Sequence, residues 1–160
     1  VTANFERHSD GVRFTLGDAE WKLLLELPAQ LHELYHDSED EAYNRIFPRA
    51  YLDPTEENAE LQWLEFVHPS LVQQRLDALG LVVSTLEQAS GAGRGLKAVD
   101  LDEDSVAALL GVLNDARLIL GNRLGINEDS EIASAVDPGA QAAYNWLSYL
   151  EGDLLETLLG

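Results

Sequence analysis

The stretch from Asp102 to about Leu124 constrains this chain more than any other. Val106, Leu109, Leu110, Val112, Leu113, Leu118, Ile119 and Leu120 fall on most sides of a helix, and a helix apolar nearly all round must be enclosed by others. Asp102 can cap it, with Glu103 and Asp104 in the first turn, where acids complement the positive end of the helix dipole. The remaining helices are therefore expected to wrap around this one.

Several candidates for that wrapping have their own periodicity. Asp18 can cap a helix running to about Tyr35, with Trp21, Leu24, Leu27, Leu31 and Leu34 three and four apart, and Pro28 removes one backbone donor from it. Ser38 with Glu41 forms a capping box for a short second helix that stops at Pro48, and Asp53-Pro54-Thr55-Glu56 opens a third. From Pro69 to about Ser90, Val72, Leu76, Leu79, Val83 and Leu86 make the clearest amphipathic stripe in the chain. After a short acidic connector beyond Gly125, Asp137-Pro138 starts a last helix through Leu147, Leu150, Leu154 and Leu158.

Two stretches of other character stand out. Phe5 to Leu16 alternates around Ser9-Asp10-Gly11, a hairpin turn signal. Ser90-Gly91-Ala92-Gly93-Arg94-Gly95 reads as a flexible connector; it lacks the Lys-Ser/Thr pair of a phosphate loop and leaves a helix instead of following a strand. The expected fold is an all-α bundle of five or six helices with a small amino-terminal β-hairpin. It is expected to be one domain over 1–160: hairpin 1–16, first helical part 18–90, flexible connector 91–99 and second helical part 100–160.

Charge narrows the function classes. Ten Lys and Arg stand against 29 Asp and Glu, a formal net charge of -19, and such a potential repels phosphate backbones and anionic lipid. Direct nucleic-acid or membrane binding is not expected. Without cysteine there are no disulfides, thiolate zinc sites or thiol nucleophiles. No apolar run approaches the roughly 20 residues of a spanning helix, and the amino terminus lacks a charged-then-apolar signal pattern, so a cytoplasmic protein is the simplest expectation. With Val1 first and no Met in the chain, a few further residues are expected upstream.

Two sets of side chains invite a functional reading. His32-Glu33-Leu34-Tyr35-His36 matches the zinc-peptidase helix pattern, in which imidazoles four apart share a metal and the Glu polarises its water. Against it, the capping box at Ser38 puts both histidines in the last turns of their helix, where they complement its carbonyl end, and no second motif singles out a third ligand. Asp100, Asp102 and Asp104 imitate half a calcium loop but meet Ser105 where Gly is needed and Gly111 where Glu is needed. The second set is Asn114, Asp115, Arg117, Asn122 and Arg123 within the apolar helix, where Gly111, Asn114, Leu118 and Gly121 make a narrow face that a second backbone could approach. It reads either as internal pairing or as a partner groove, since two of only ten basic residues lie there.

The same helix carries Leu113-Asn114-Asp115-Ala116-Arg117-Leu118-Ile119-Leu120-Gly121-Asn122-Arg123-Leu124-Gly125-Ile126. Together with Phe47-Pro48-Arg49-Ala50-Tyr51-Leu52-Asp53 and Tyr144-Asn145-Trp146-Leu147-Ser148-Tyr149-Leu150, it resembles the signature of the actinobacterial domain-of-unknown-function family twenty-seventeen. The resemblance implies a cytoplasmic protein of about this length, often encoded near the adaptor of the Clp protease, with no assigned activity or catalytic residue. Some members carry a transcription-regulator label, which the charge makes an indirect role at most. The quoted stretches leave out His32 and His36.

The expectation that follows is a non-enzymatic protein-interaction or regulatory domain without a cofactor. It would present a rigid acidic surface, with a groove near Arg117 and Arg123, to a protein partner or to a second copy of itself. The alternative is a zinc-dependent hydrolase using His32, Glu33 and His36.

Overall fold

The computed structural model describes residues 4–125 and 138–160. Strands β1 (Phe5–His8) and β2 (Gly11–Gly17) are followed by α1 (Asp18–Tyr35), α2 (Glu41–Ile46), a 3₁₀ turn (Pro54–Glu56), α3 (Glu57–Phe66) and α4 (His68–Leu86). Strands β3 (Ser90–Gly91) and β4 (Leu96–Leu101) precede α5 (Glu103–Arg123) and α6 (Pro138–Leu159). The acidic connector expected after Gly125, and Asp137 at the expected start of the last helix, lie outside the described residues.

The all-α expectation is overturned. The first hairpin is half of a four-stranded antiparallel sheet in the order β1-β2-β4-β3, and the stretch expected as a flexible connector over 91–99 is the second hairpin. Gly93, Arg94 and Gly95 all have positive φ, the twist a tight turn needs, and the Leu96 N–H closes the turn on the Gly93 carbonyl at 2.9 Å. Leu96-Lys97-Ala98-Val99-Asp100-Leu101 is short, and only Val99 and Leu101 are buried, so its alternation is faint. What makes it a strand is register with a distant partner, Val12 opposite Leu101 through Gly17 opposite Leu96.

The sheet and helices share one hydrophobic cluster. Phe14, fully buried on β2, stacks on Phe5 at 4.4 Å and meets Trp21 of α1 at 5.3 Å, which joins the sheet to the first helix. The Trp21 indole N–H donates to the Lys97 carbonyl at 2.7 Å, a second tie across the same seam. Helix α5 is enclosed as its composition requires, packed by α6, α4, α2 and α1, with β2 and β4 at its sheet end.

Capping fixes where these helices begin. The Asp102 carboxylate accepts from the Ser105 N–H at 2.8 Å, a bond that holds its carboxyl below the usual range. For α2 the cap is Asp40, accepting from the Ala42 N–H at 2.9 Å, in place of the expected Ser38. For α1 the flanking residue is Gly17, one before Asp18, and Glu20 reaches back to its N–H at 3.3 Å.

One position in α4 is open to improvement. Gly80 lies exposed inside the helix, and a Cβ there would meet nothing within 4 Å. Gly80→Ala is expected to stabilise the fold by up to about 1 kcal/mol by restricting the unfolded chain. Calorimetry should show a higher melting temperature; a lower one would mean the site is not free space.

Candidate functional site

The five residues singled out on α5 separate into distinct environments. Asp115 is 1% exposed. It is paired on two sides: the Tyr35 hydroxyl donates to its Oδ2 at 2.5 Å, and Arg75 Nη1 donates to Oδ1 at 3.0 Å and Oδ2 at 3.1 Å. Burial pushes the Asp115 carboxyl above its ordinary value, while the Tyr35 hydrogen bond and the Arg75 charge pull it back down. Burial, and then the neighbouring carboxylate, push the Tyr35 hydroxyl well up. These three side chains tie α1, α4 and α5 at one point.

Tyr35 and Arg75 carried no recognisable signal in the chain, because neither lies near Asp115 in sequence. Aromatic rings continue this region: Tyr35 against Phe47 at 5.7 Å, Tyr43 against Phe47 at 5.0 Å, and Trp63 against His68 at 5.2 Å. The Tyr43 hydroxyl and His68 Nε2 share a hydrogen bond of 2.6 Å, and burial raises the Tyr43 pKa. Glu60 is fully buried nearby in the chain, its Oε2 accepting from the Tyr51 N–H at 2.8 Å. These two bonds join α2 to the start of α4 and the loop before α3 to α3 itself, which is structural work.

The other polar residues of α5 point to different neighbours. Arg117 Nε lies 3.1 Å from Glu151 Oε2 of α6, and its Nη2 donates to Asn114 Oδ1 at 2.9 Å. Arg123 Nη2 donates to Asp40 Oδ2 at 3.2 Å, at the start of α2. Asn122 is half-buried. Nor does the small face receive a second backbone at Gly111: the nearest group to a Cβ built there is the Arg75 guanidinium, at 3.8 Å.

His32 and His36 sit side by side near the end of α1, both exposed, with ring centroids 4.7 Å apart. His36 Nδ1 bonds the His32 carbonyl at 2.8 Å, as expected of a histidine completing a helix terminus. Among the described residues, no group of three or more His, Cys, Asp and Glu side chains is placed to hold a metal ion. The described residues therefore bring the pair no third donor of the kind a catalytic zinc uses.

An apolar groove of about 580 Å³ runs between α1, α5 and α6. Its existence follows from the sequence of its walls. Helix α1 has a second apolar row, Leu23 and Leu27, beside the row that enters the core, and Leu23 is 56% exposed. Opposite, α6 begins with small residues at helical spacing, Gly139, Ala142 and Ala143, followed by Trp146. Small side chains facing leucines leave room that neither wall fills, and Ile119 and Leu120 of α5 line the same space. Glu20, Glu26 and Arg123 add the charged groups, so Arg123 is the one residue of the five singled out on α5 that lines the groove.

A family model described as Domain of unknown function (DUF2017) matches residues 2–158. No curated protein and no solved structure matches the chain.

Proposed function

The chain belongs to the DUF2017 family, and from that premise we propose that it is a non-enzymatic protein-interaction domain whose binding face is the groove between α1, α5 and α6. One observation carries this reading: among the described residues the groove is apolar, uncovered and about 580 Å³, while Asp115, Arg117 and Arg123 of α5 are engaged with neighbouring elements of the same chain. Apolar surface left open in this way costs solubility unless something covers it. The Tyr35–Asp115 and Tyr43–His68 pairs do not line this groove, and its described walls carry no nucleophile beside a base. No helix among the described residues is long and apolar enough to cross a membrane. Binding to a protein surface suits the groove's shape and lining.

Selection of peptides from a random display library tests the reading, with two groove variants as counter-targets. Leu23→Glu and Ala142→Trp alter exposed positions, so both should fold. Peptides enriched on the unmodified protein are expected to lose at least about tenfold in affinity for each variant, the effect of placing a charge or a large ring in an apolar contact. If every enriched peptide binds the variants equally well, the groove is not the binding face.

A further inference from the structure

We infer that the occupant of the groove is an amphipathic helix of a protein partner, with its apolar face in the groove and Lys or Arg residues along its flanks. This deepens the interaction reading and rests on it.

The walls suggest a helix. Leu23 and Leu27 are one turn apart on α1, Ile119 and Arg123 are one turn apart on α5, and Gly139 and Ala143 are one turn apart on α6. Ridges and recesses repeating at that interval accept side chains that repeat at the same interval, as a helix with apolar residues at i, i+4 and i+7 offers them. Ala142 and Ala143 of α6 also let a helix backbone come close, since each presents only a methyl group. An extended strand would instead seek unpaired backbone groups, and walls made of helix side chains offer it none.

Charge supplies the second half. Of the charged groups lining the groove, Arg123 is paired with the opposite charge of Asp40 at 3.2 Å, whereas Glu20 accepts only from the neutral Gly17 N–H, so Glu20 and Glu26 on α1 set the sign of the rim. The wider surface has the same sign, since the chain carries a formal net charge of -19. Cationic flanks are attracted to such a rim and acidic ones repelled. The same charge argues against a second copy of this chain as the occupant, because two such surfaces repel.

Three synthetic helices decide the matter: one with apolar anchors and Lys flanks, one with the same anchors and Glu flanks, and one with the Lys composition scrambled to abolish the apolar face. Binding is followed by chemical-shift changes at Leu23, Leu27, Ile119 and Ala142. The Lys-flanked helix is expected to shift these residues saturably and to bind about five- to tenfold more tightly than the Glu-flanked one. That margin is expected to narrow in high salt and in Glu20→Gln/Glu26→Gln, as it would for a few exposed charge pairs. Ala142→Trp should weaken the Lys-flanked helix at least about tenfold.

Equal binding of the scrambled peptide would overturn the inference, reducing it to adsorption on an acidic surface. Equal or tighter binding of the Glu-flanked helix would overturn it too, as would a homodimer abolished by Ala142→Trp. In the case of the Glu-flanked helix the groove would still be an interaction site and the broader reading would survive. If no peptide, selected or designed, depends on the groove, both fall together.

Discussion

Chemical denaturation of an Arg75→Met variant is expected to show a loss of about 3 kcal/mol at neutral pH, shrinking as the pH is lowered. Removing one partner of a buried pair leaves the other charge uncompensated, which costs roughly 3–5 kcal/mol, and the lower end applies because the Arg75 side chain is 38% exposed. The pH dependence follows from Asp115. Its pKa is raised on folding, so between the ordinary carboxylate value and the raised one the folded protein binds more protons than the unfolded chain. Stability from this group is complete below that window and declines as pH rises through it. Arg75 lowers the folded value and so limits the decline; without Arg75 the window extends upward. The variant should therefore match the unmodified protein in acid and diverge from it towards neutrality. A deficit that does not change with pH would show that Arg75 acts through packing of its stem and not through the Asp115 carboxylate.

Gly11→Ala is expected to be comparably damaging for an unrelated reason. A Cβ at Gly11 would lie 2.0 Å from the Leu101 carbonyl oxygen, and that oxygen is backbone, so no side-chain rotation relieves the contact. The strands must separate where Val12 faces Leu101, which is where the sheet delivers the chain into α5. Overpacking of this kind costs about 3 kcal/mol, or roughly 10 °C in melting temperature for a protein of this size. Thermal unfolding checks it directly, and Gly80→Ala is the matched control with the same added methyl group. Similar melting temperatures for the two variants would mean that β2 and β4 can slide apart at no cost.

Helix character was largely legible in the chain, and strand character only half so. The first hairpin announced itself through Asp10-Gly11 between alternating residues. Its partner hairpin did not, because glycines in Ser90 to Gly95 resemble a linker and β4 buries only Val99 and Leu101. That gap turned a helical protein with a four-stranded sheet into an expected all-α bundle. The site residues show the same division. Asn114, Asp115, Arg117, Asn122 and Arg123 stood out as polar groups in an apolar helix, but nothing in their spacing told which would be buried and which would line a groove. Leu23 and Ala142 gave no sign at all, and Leu27 read as part of the core stripe of α1, although it also lines the groove.

Local chemistry thus determined, from the residues alone, where most helices run, that α5 must sit at the centre, and that the protein is strongly anionic. Those properties depend on neighbours within one or two turns and on a simple count of charges. Tertiary structure decided that β4 is a strand, that Asp115 answers Tyr35 and Arg75, and that small residues on α6 face leucines on α1 across a groove. Each of these joins segments far apart in the chain. A backbone donor, a buried carboxylate or an apolar wall has no fixed partner until packing brings one within reach.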